Sequence, residues 1–301
     1  MPRPDLASIG VGYRRIPILA IGKDVYCDSR LIISKLESLY PGSRLALPTA
    51  AEAGVSKLFE NWTVDGGIFA NTVKLMPFWR DDGFLKNKAF LDDRQKLMGG
   101  RRMTADTMQS ARVAGLQHLR QAFDLLETMF LADGRQWILA TQEPSVADID
   151  AVWPFEWLIV DKTMRGSLPE DQFGERNHPK VYAWVRRFME EVSRKKQGIV
   201  TPTVMGGQSV LTSMVSTSSP LEAVPFHKNI AMGLQEGEMV EVYPSDYGQT
   251  GKSTGIVVGF TSDEVVILNE HGLHLHFPLW NFTVKKVVAG ARGDVNGKSK
   301  I

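Results

Sequence analysis

Residues 13–32 read YRRIPILAIGKDVYCDSRLI. Ile16-Pro17-Ile18-Leu19-Ala20-Ile21 is an apolar run of strand length, Gly22-Lys23-Asp24 supplies a turn, and Val25-Tyr26 opens a second short strand. This pattern predicts a β-hairpin. Pro17 has no N–H to give a ladder, so it demands an edge, a bulge, a strand start or a special cis turn. Asp28-Ser29 then opens a helix carried by Leu31, Ile32, Leu36 and Leu39 and stopped by Pro41-Gly42. Two strands and one helix bury too little apolar surface to stand alone, so residues 1–48 need a partner.

Outward from that stretch the chain changes character twice. Residues 49–198 carry helical spacing: Val55, Leu58, Phe59 and Trp62 before Gly66-Gly67, then a segment near 84–98 and a strongly periodic one over 104–131. Ser145-Val146-Ala147-Asp148 resembles a capping box, with Asp in place of the usual Glu or Gln. His178-Pro179 starts a last helix through Val181, Trp184, Val185 and Phe188. Most of the large apolar side chains lie here, so the main core is expected here. Residues 199–235, rich in Ser, Thr, Gly and Pro at their start, read as a linker. Short apolar runs at 240–243, 255–260, 265–268, 273–277 and 282–284 are evenly spaced between turn residues, which predicts a small β-barrel over 236–290. Residues 291–301 read as a disordered tail.

Composition narrows the function. The 301 residues hold 35 Lys+Arg against 34 Asp+Glu, a net charge of +1. That balance, with no long basic run, speaks against a nucleic-acid partner. A single cysteine, Cys27, excludes an intrachain disulfide and a multi-cysteine zinc site. No apolar run approaches the roughly 18–20 residues of a membrane span. MPRPDLASIG lacks the apolar stretch of a signal peptide, so the expected location is cytoplasmic.

The chemistry concentrates around Pro17 and Asp28-Ser29. A proline held cis turns the preceding backbone toward a ligand, so Ile16 can offer its N–H and C=O to a peptide-like molecule. A helix N-terminus binds carboxylates through its free N–H groups and its dipole. Ser29 adds a hydroxyl, and Asp28 can pair with an ammonium. Together they suit the α-amino-acid end of a ligand; the plainer alternative is an ordinary strand proline beside an ordinary helix cap. Cys27 reads as a small buried apolar residue before it reads as a nucleophile. His271, His274 and His276 read as a solvated strand face rather than a metal site. Trp62, Phe69, Trp79 and Trp153 are candidates for an apolar cleft, with plain core as the alternative.

Tyr13 to Leu19 followed by Cys27 to Ile32 resembles the later half of the N-terminal domain of glutathione S-transferases. Ser145-Val146-Ala147-Asp148-Ile149 resembles the motif that opens the central helix of that family's C-terminal domain. The resemblance covers residues 1–197 and is similar in particular to fungal members with an extra C-terminal β domain. It implies an α+β multidomain chain: a partial thioredoxin-like α/β unit at 1–48, an all-helical GST C-terminal-like domain at 49–198, and a small SH3-like β-barrel at 236–290. It implies glutathione as co-substrate, with Ile16 on the cysteinyl backbone, Pro17 cis, and Asp28 and Ser29 on the γ-glutamyl end. It implies a homodimer acting on a small-molecule electrophile, in fungal detoxification or secondary-metabolite tailoring, with the apolar site between the helical and thioredoxin-like domains. One departure stands out. The family's first strand, helix and second strand precede the hairpin and carry the thiol-activating residue, and only twelve residues precede Tyr13. Three readings stay open: a conjugating enzyme, a non-catalytic binding or scaffold relative that has lost the thiol-activating segment, and a chain whose natural start lies upstream.

Overall fold

The hairpin forms where the pattern places it, and it joins strands from the far end of the chain. The computed structural model describes residues 3–43, 45, 49–80, 84–217, 223–228 and 233–287. The expected tail at 291–301 lies outside the described residues. The chain divides into two compact units, residues 36–203 in one, and residues 2–35 with 204–301 in the other.

The first unit is helical. Its elements are α3 (Ala50–Val64), α4 (Ile68–Val73), α5 (Lys88–Leu97), α6 (Ala105–Leu125), α7 (Val146–Ile159), α8 (Glu170–Phe173) and α9 (Pro179–Lys196). They follow α1 (Pro4–Ser8) and α2 (Ser29–Leu39), and the division between the units falls inside α2. Thr49 caps α3 by accepting the Glu52 N–H at 3.2 Å. The helix ends before Gly66-Gly67, where Gly67 has φ 86°, and α4 starts afresh. Much of the apolar spacing read from the sequence is core, with Phe59, Val181, Trp184 and Val185 buried, whereas Leu58 is exposed; Phe123, Phe155, Phe173 and Trp184 are fully buried. The Phe123 ring lies 5.0 Å from that of Phe155 and 5.4 Å from that of Phe173. Each such side chain contributes about 1.5–3 kcal/mol by leaving water.

The second unit is a seven-stranded sheet: β1 (Ile18–Ile21), β2 (Asp24–Cys27), β3 (Met239–Pro244), β4 (Ser253–Phe260), β5 (Glu264–Leu268), β6 (His274–Pro278) and β7 (Phe282–Lys286), in the order β1-β2-β6-β5-β4-β3-β7. All neighbours are antiparallel except β2 and β6, which run parallel. The five C-terminal strands lie where the sequence puts them. The expected separation of a 1–48 unit from a 236–290 barrel is corrected, because β6 hydrogen-bonds directly to β2. One core serves both ends of the chain: Val11, Tyr13, Val25 and Cys27 are buried together with Val240, Val257, Leu275 and Phe277. This is how a hairpin too small to fold alone acquires an interior.

The N-terminal residues and the expected linker are both structured. Residues 3–13 contribute α1 and the buried Ile9, Val11 and Tyr13. Gly12 comes so close to this sheet that a Cβ there would lie 1.8 Å from the Lys252 carbonyl oxygen. The 199–235 linker contains α10 (Gly207–Val215), whose Met214 is buried in the sheet core with Val210 and Leu211 packed beside it. Ser, Thr and Gly around these three apolar residues hide their helical spacing. No helix among the described residues is long and apolar enough to cross a membrane.

Candidate functional site

The hairpin gathers the four expected site residues. Its register pairs Ile18 with Cys27 and Ile21 with Asp24. Pro17 and Asp28 directly adjoin the Ile18–Cys27 pair in the chain, with Ile16 and Ser29 one residue further on. The Ile16–Pro17 peptide bond is cis. Ile16 is 66% exposed, and Pro17 and Ser29 are also exposed. Ser29 is the first residue of α2.

Asp28 is oriented before any ligand arrives. Its backbone is left-handed, φ 80°, and its carbonyl accepts the Ile32 N–H at 3.2 Å. One carboxylate oxygen accepts the Arg30 N–H at 3.1 Å and the other the Tyr13 hydroxyl at 3.2 Å. An ionised carboxylate has about four acceptor positions, so two bonds leave room for an ammonium group. Tyr13 itself is held by the C-terminal strands, its ring 6.4 Å edge-on from Phe277 and 5.6 Å from Phe282.

Neither nearby thiol nor phenol is a ready base or nucleophile. Burial pushes the Tyr13 hydroxyl well above its ordinary range, and the negative charge of Asp28 adds to it. Cys27 is fully buried, which likewise pushes its thiol up, again with Asp28 adding. The reading of Cys27 as a small buried apolar residue agrees with this position. An aromatic disulfide reagent is therefore expected to titrate no thiol in the native protein and one thiol in denaturant. Stoichiometric labelling of the native chain would show that the residue is accessible.

The other candidates scatter. His276 corrects the expected solvated strand face: it is buried, with Nε2 2.9 Å from Asp24 Oδ1 and Nδ1 2.9 Å from Glu264 Oε2. The Tyr26 ring stacks on it at 4.3 Å. Spacing alone missed Asp24 and Glu264, since one belongs to β2 and the other to β5. In the helical unit Phe69 lies 5.0 Å from Trp153 and Trp62 stacks 6.2 Å from Phe155. Trp79 stands apart from that group's ring contacts, under the Arg112 guanidinium at 4.7 Å.

Comparison with known proteins bears on this arrangement. Residues 1–44 match the glutathione S-transferase N-terminal domain, and residues 71–197 match a domain of unknown function (DUF7962). The chain superposes on a GST-like protein from Pseudomonas syringae with a TM-score of 0.60, covering 95% of this chain and 86% of that one at 19% identity. The fold is that of a GST-like protein. A glutathione S-transferase from Rhodospirillum rubrum gives a TM-score of 0.42 at 18% identity over 64% and 74% of the two chains. A glutathione transferase homologue from Sulfitobacter, solved with bound glutathione, gives a TM-score of 0.41 at 11% identity over 62% and 75% of the two chains. No curated protein matches the chain. The GST N-terminal match contains Ile16, Pro17, Asp28 and Ser29. The helical residues 71–197 match the domain of unknown function instead.

Proposed function

We propose that this GST-like chain binds glutathione through Ile16, Pro17, Asp28 and Ser29 and presents its sulfur to a small electrophile. The observation that carries the reading is that the last pair of the hairpin, Ile18 with Cys27, leaves the exposed Ile16 and the exposed Ser29, first residue of α2, just beyond its open end. In this reading the backbone of Ile16 pairs with the cysteinyl peptide of glutathione. The γ-glutamyl carboxylate meets the Ser29 hydroxyl and the first N–H groups of α2, where the helix dipole favours negative charge. The γ-glutamyl ammonium meets the Asp28 carboxylate, already steered by Tyr13 and Arg30. A homodimeric state, a cytoplasmic location, and a role in fungal detoxification or secondary-metabolite tailoring belong to the same proposal and rest on the resemblance.

The test is calorimetric titration of the full chain with glutathione. Saturable binding is expected, weakened about tenfold or more in Ser29→Ala, the cost of a hydrogen bond to a charged group. Absence of binding to a folded, monodisperse sample would falsify the reading.

A second reading, binding without catalysis, is supported by the state of Tyr13 and Cys27. Both are held protonated by burial, and neither offers the charge or base that lowers a thiol pKa. A conjugation assay with a chloronitrobenzene electrophile separates the two. Turnover above the uncatalysed rate at neutral pH supports the enzyme; glutathione binding without turnover supports the non-catalytic relative.

A further inference from the structure

Asp28 is held at both carboxylate oxygens, and each hold leads to the far end of the chain. The Arg30 N–H donates to Oδ1 at 3.1 Å, and the Tyr13 hydroxyl donates to Oδ2 at 3.2 Å. Arg30 is buried, and its Nη1 donates at 3.4 Å to the carbonyl of Trp280, in the turn between β6 and β7. Tyr13 is 2% exposed, with its ring against Phe277 of β6 and Phe282 of β7.

The segment that carries Tyr13 is fixed along its length. The Ile9 carbonyl accepts the Asn269 side-chain N–H at 2.9 Å, and the Gly12 N–H donates to the Ser253 hydroxyl at 3.0 Å. The Arg15 guanidinium donates to Asp246 and, at 2.7 Å, to the Tyr247 carbonyl, and it lies 4.2 Å over the Tyr247 ring. These partners sit at the start of β4 and in the loops that follow β3 and β5. The hydroxyl that meets Asp28 therefore comes from a ring with little freedom of its own.

Such a brace changes what a half-buried carboxylate can recognise. With one oxygen bonded, the group still turns about its last torsion. With both bonded, its plane is fixed and its remaining acceptor positions keep their direction. A cationic donor then finds its partner already ordered, and less freedom is lost on binding. Burial keeps the Tyr13 hydroxyl protonated, so it acts on Asp28 as a donor only. A site built to bond a polar group also rejects the analogue that lacks it, because its own polar atoms are left unpaired.

We propose that Tyr13 is a positioning residue through which β6 and β7 hold the Asp28 carboxylate for the free α-amino group of the ligand, so that the C-terminal strands set the demand for that group. This rests on the glutathione reading of the Ile16–Ser29 end. Tyr13 itself acts through Asp28 and makes no ligand contact in this arrangement. The C-terminal strands then serve recognition as well as stability.

The test compares calorimetric affinities of the full chain for glutathione and for glutaryl-cysteinylglycine, the same peptide without its ammonium group. The wild type is expected to prefer glutathione by about tenfold or more, the size of a hydrogen bond between charged groups. Tyr13→Phe keeps the ring and is expected to cut that ratio about fivefold by weakening glutathione alone. In an Asp28→Ala background the same change is expected to alter neither affinity, since the group it acts through is gone. A purely structural role would weaken both ligands together and leave the ratio intact, which would overturn the proposal. A wild type that binds both ligands equally would overturn it too, while the glutathione reading stands. A wild type that binds neither removes the glutathione reading and this one with it. Should Tyr13→Phe fail to give a native melting transition, Phe282→Leu, which keeps the hydroxyl and removes a ring that braces it, carries the same comparison.

Discussion

Asp148→Ala is expected to destabilise the helical unit by about 3–5 kcal/mol, the largest effect of any single substitution considered. Asp148 is fully buried at the third position of α7. One of its oxygens accepts the Ile138 N–H and the Trp184 Nε1–H, each at 2.9 Å. The other accepts the Ser145 N–H at 2.9 Å and the Ser145 hydroxyl at 2.7 Å. Ser145 and Trp184 are themselves buried, so no solvent replaces a lost acceptor. Each donor left bare costs about 1–3 kcal/mol. Asp148→Asn keeps the volume but turns one acceptor into a donor aimed at other donors, and its cost is expected to be nearly as large. Urea unfolding followed by the helical circular-dichroism signal measures both. A loss under about 1 kcal/mol would mean that the donors find other partners.

His276→Ala is expected to rank second, destabilising the sheet by about 3 kcal/mol or more, because it leaves the buried Asp24 carboxylate without the imidazole that bonds it and Glu264. The same residue sets a pH dependence. Burial opposes the charge on His276, but the hydrogen bonds to Asp24 and Glu264 outweigh it and raise the pKa above the ordinary 6.5. The folded state therefore holds a proton that the unfolded chain releases first. This contribution is complete below the unfolded pKa and is lost as pH rises through the folded one. His274, two residues along β6, has its pKa lowered, chiefly by burial, with His276 and Lys23 adding. Its contribution is complete above the unfolded pKa and is lost as pH falls through the folded one. The two together predict greatest sheet stability close to the unfolded histidine pKa of about 6.5, with losses on both sides. Thermal unfolding as a function of pH checks this: His276→Gln should abolish the alkaline loss and keep the acid one. An alkaline slope surviving in His276→Gln would assign it to another group.

Much of this protein is written in local pattern. The strand-turn-strand-helix of residues 18–39 follows from an apolar run, a Gly-containing turn and an Asp-Ser opening, all of which act between near neighbours. The α7 cap was legible for the same reason, since Ser145 and Asp148 are three residues apart. So were the long helices, whose apolar stripes repeat at the helical period, and the five C-terminal strands, which alternate between turn residues. The candidate site was legible because the hairpin register follows from the turn between its strands. Ile16, Pro17, Asp28 and Ser29 needed no distant part of the chain to bring them together.

What lay out of reach shares one property: it depends on contacts between residues far apart in the chain. Nothing in Asp24 to Cys27 announces that its free edge pairs with His274 to Pro278, because a parallel ladder leaves no turn between its strands to mark it. The burial of His276 followed from that seam, as did the failure of the expected solvated face. The helix at Gly207–Val215 exists because the sheet core receives Val210, Leu211 and Met214, a tertiary reward that outweighs a poor local composition. The bracing of the site, Arg15 on Asp246 and Arg30 on the Trp280 carbonyl, is likewise a product of sheet order. Local sequence determined the elements and the open end of the hairpin. The tertiary structure decided which strands complete the sheet and which side chains surround that end, since burial and long-range hydrogen bonding are settled only when both ends of the chain meet.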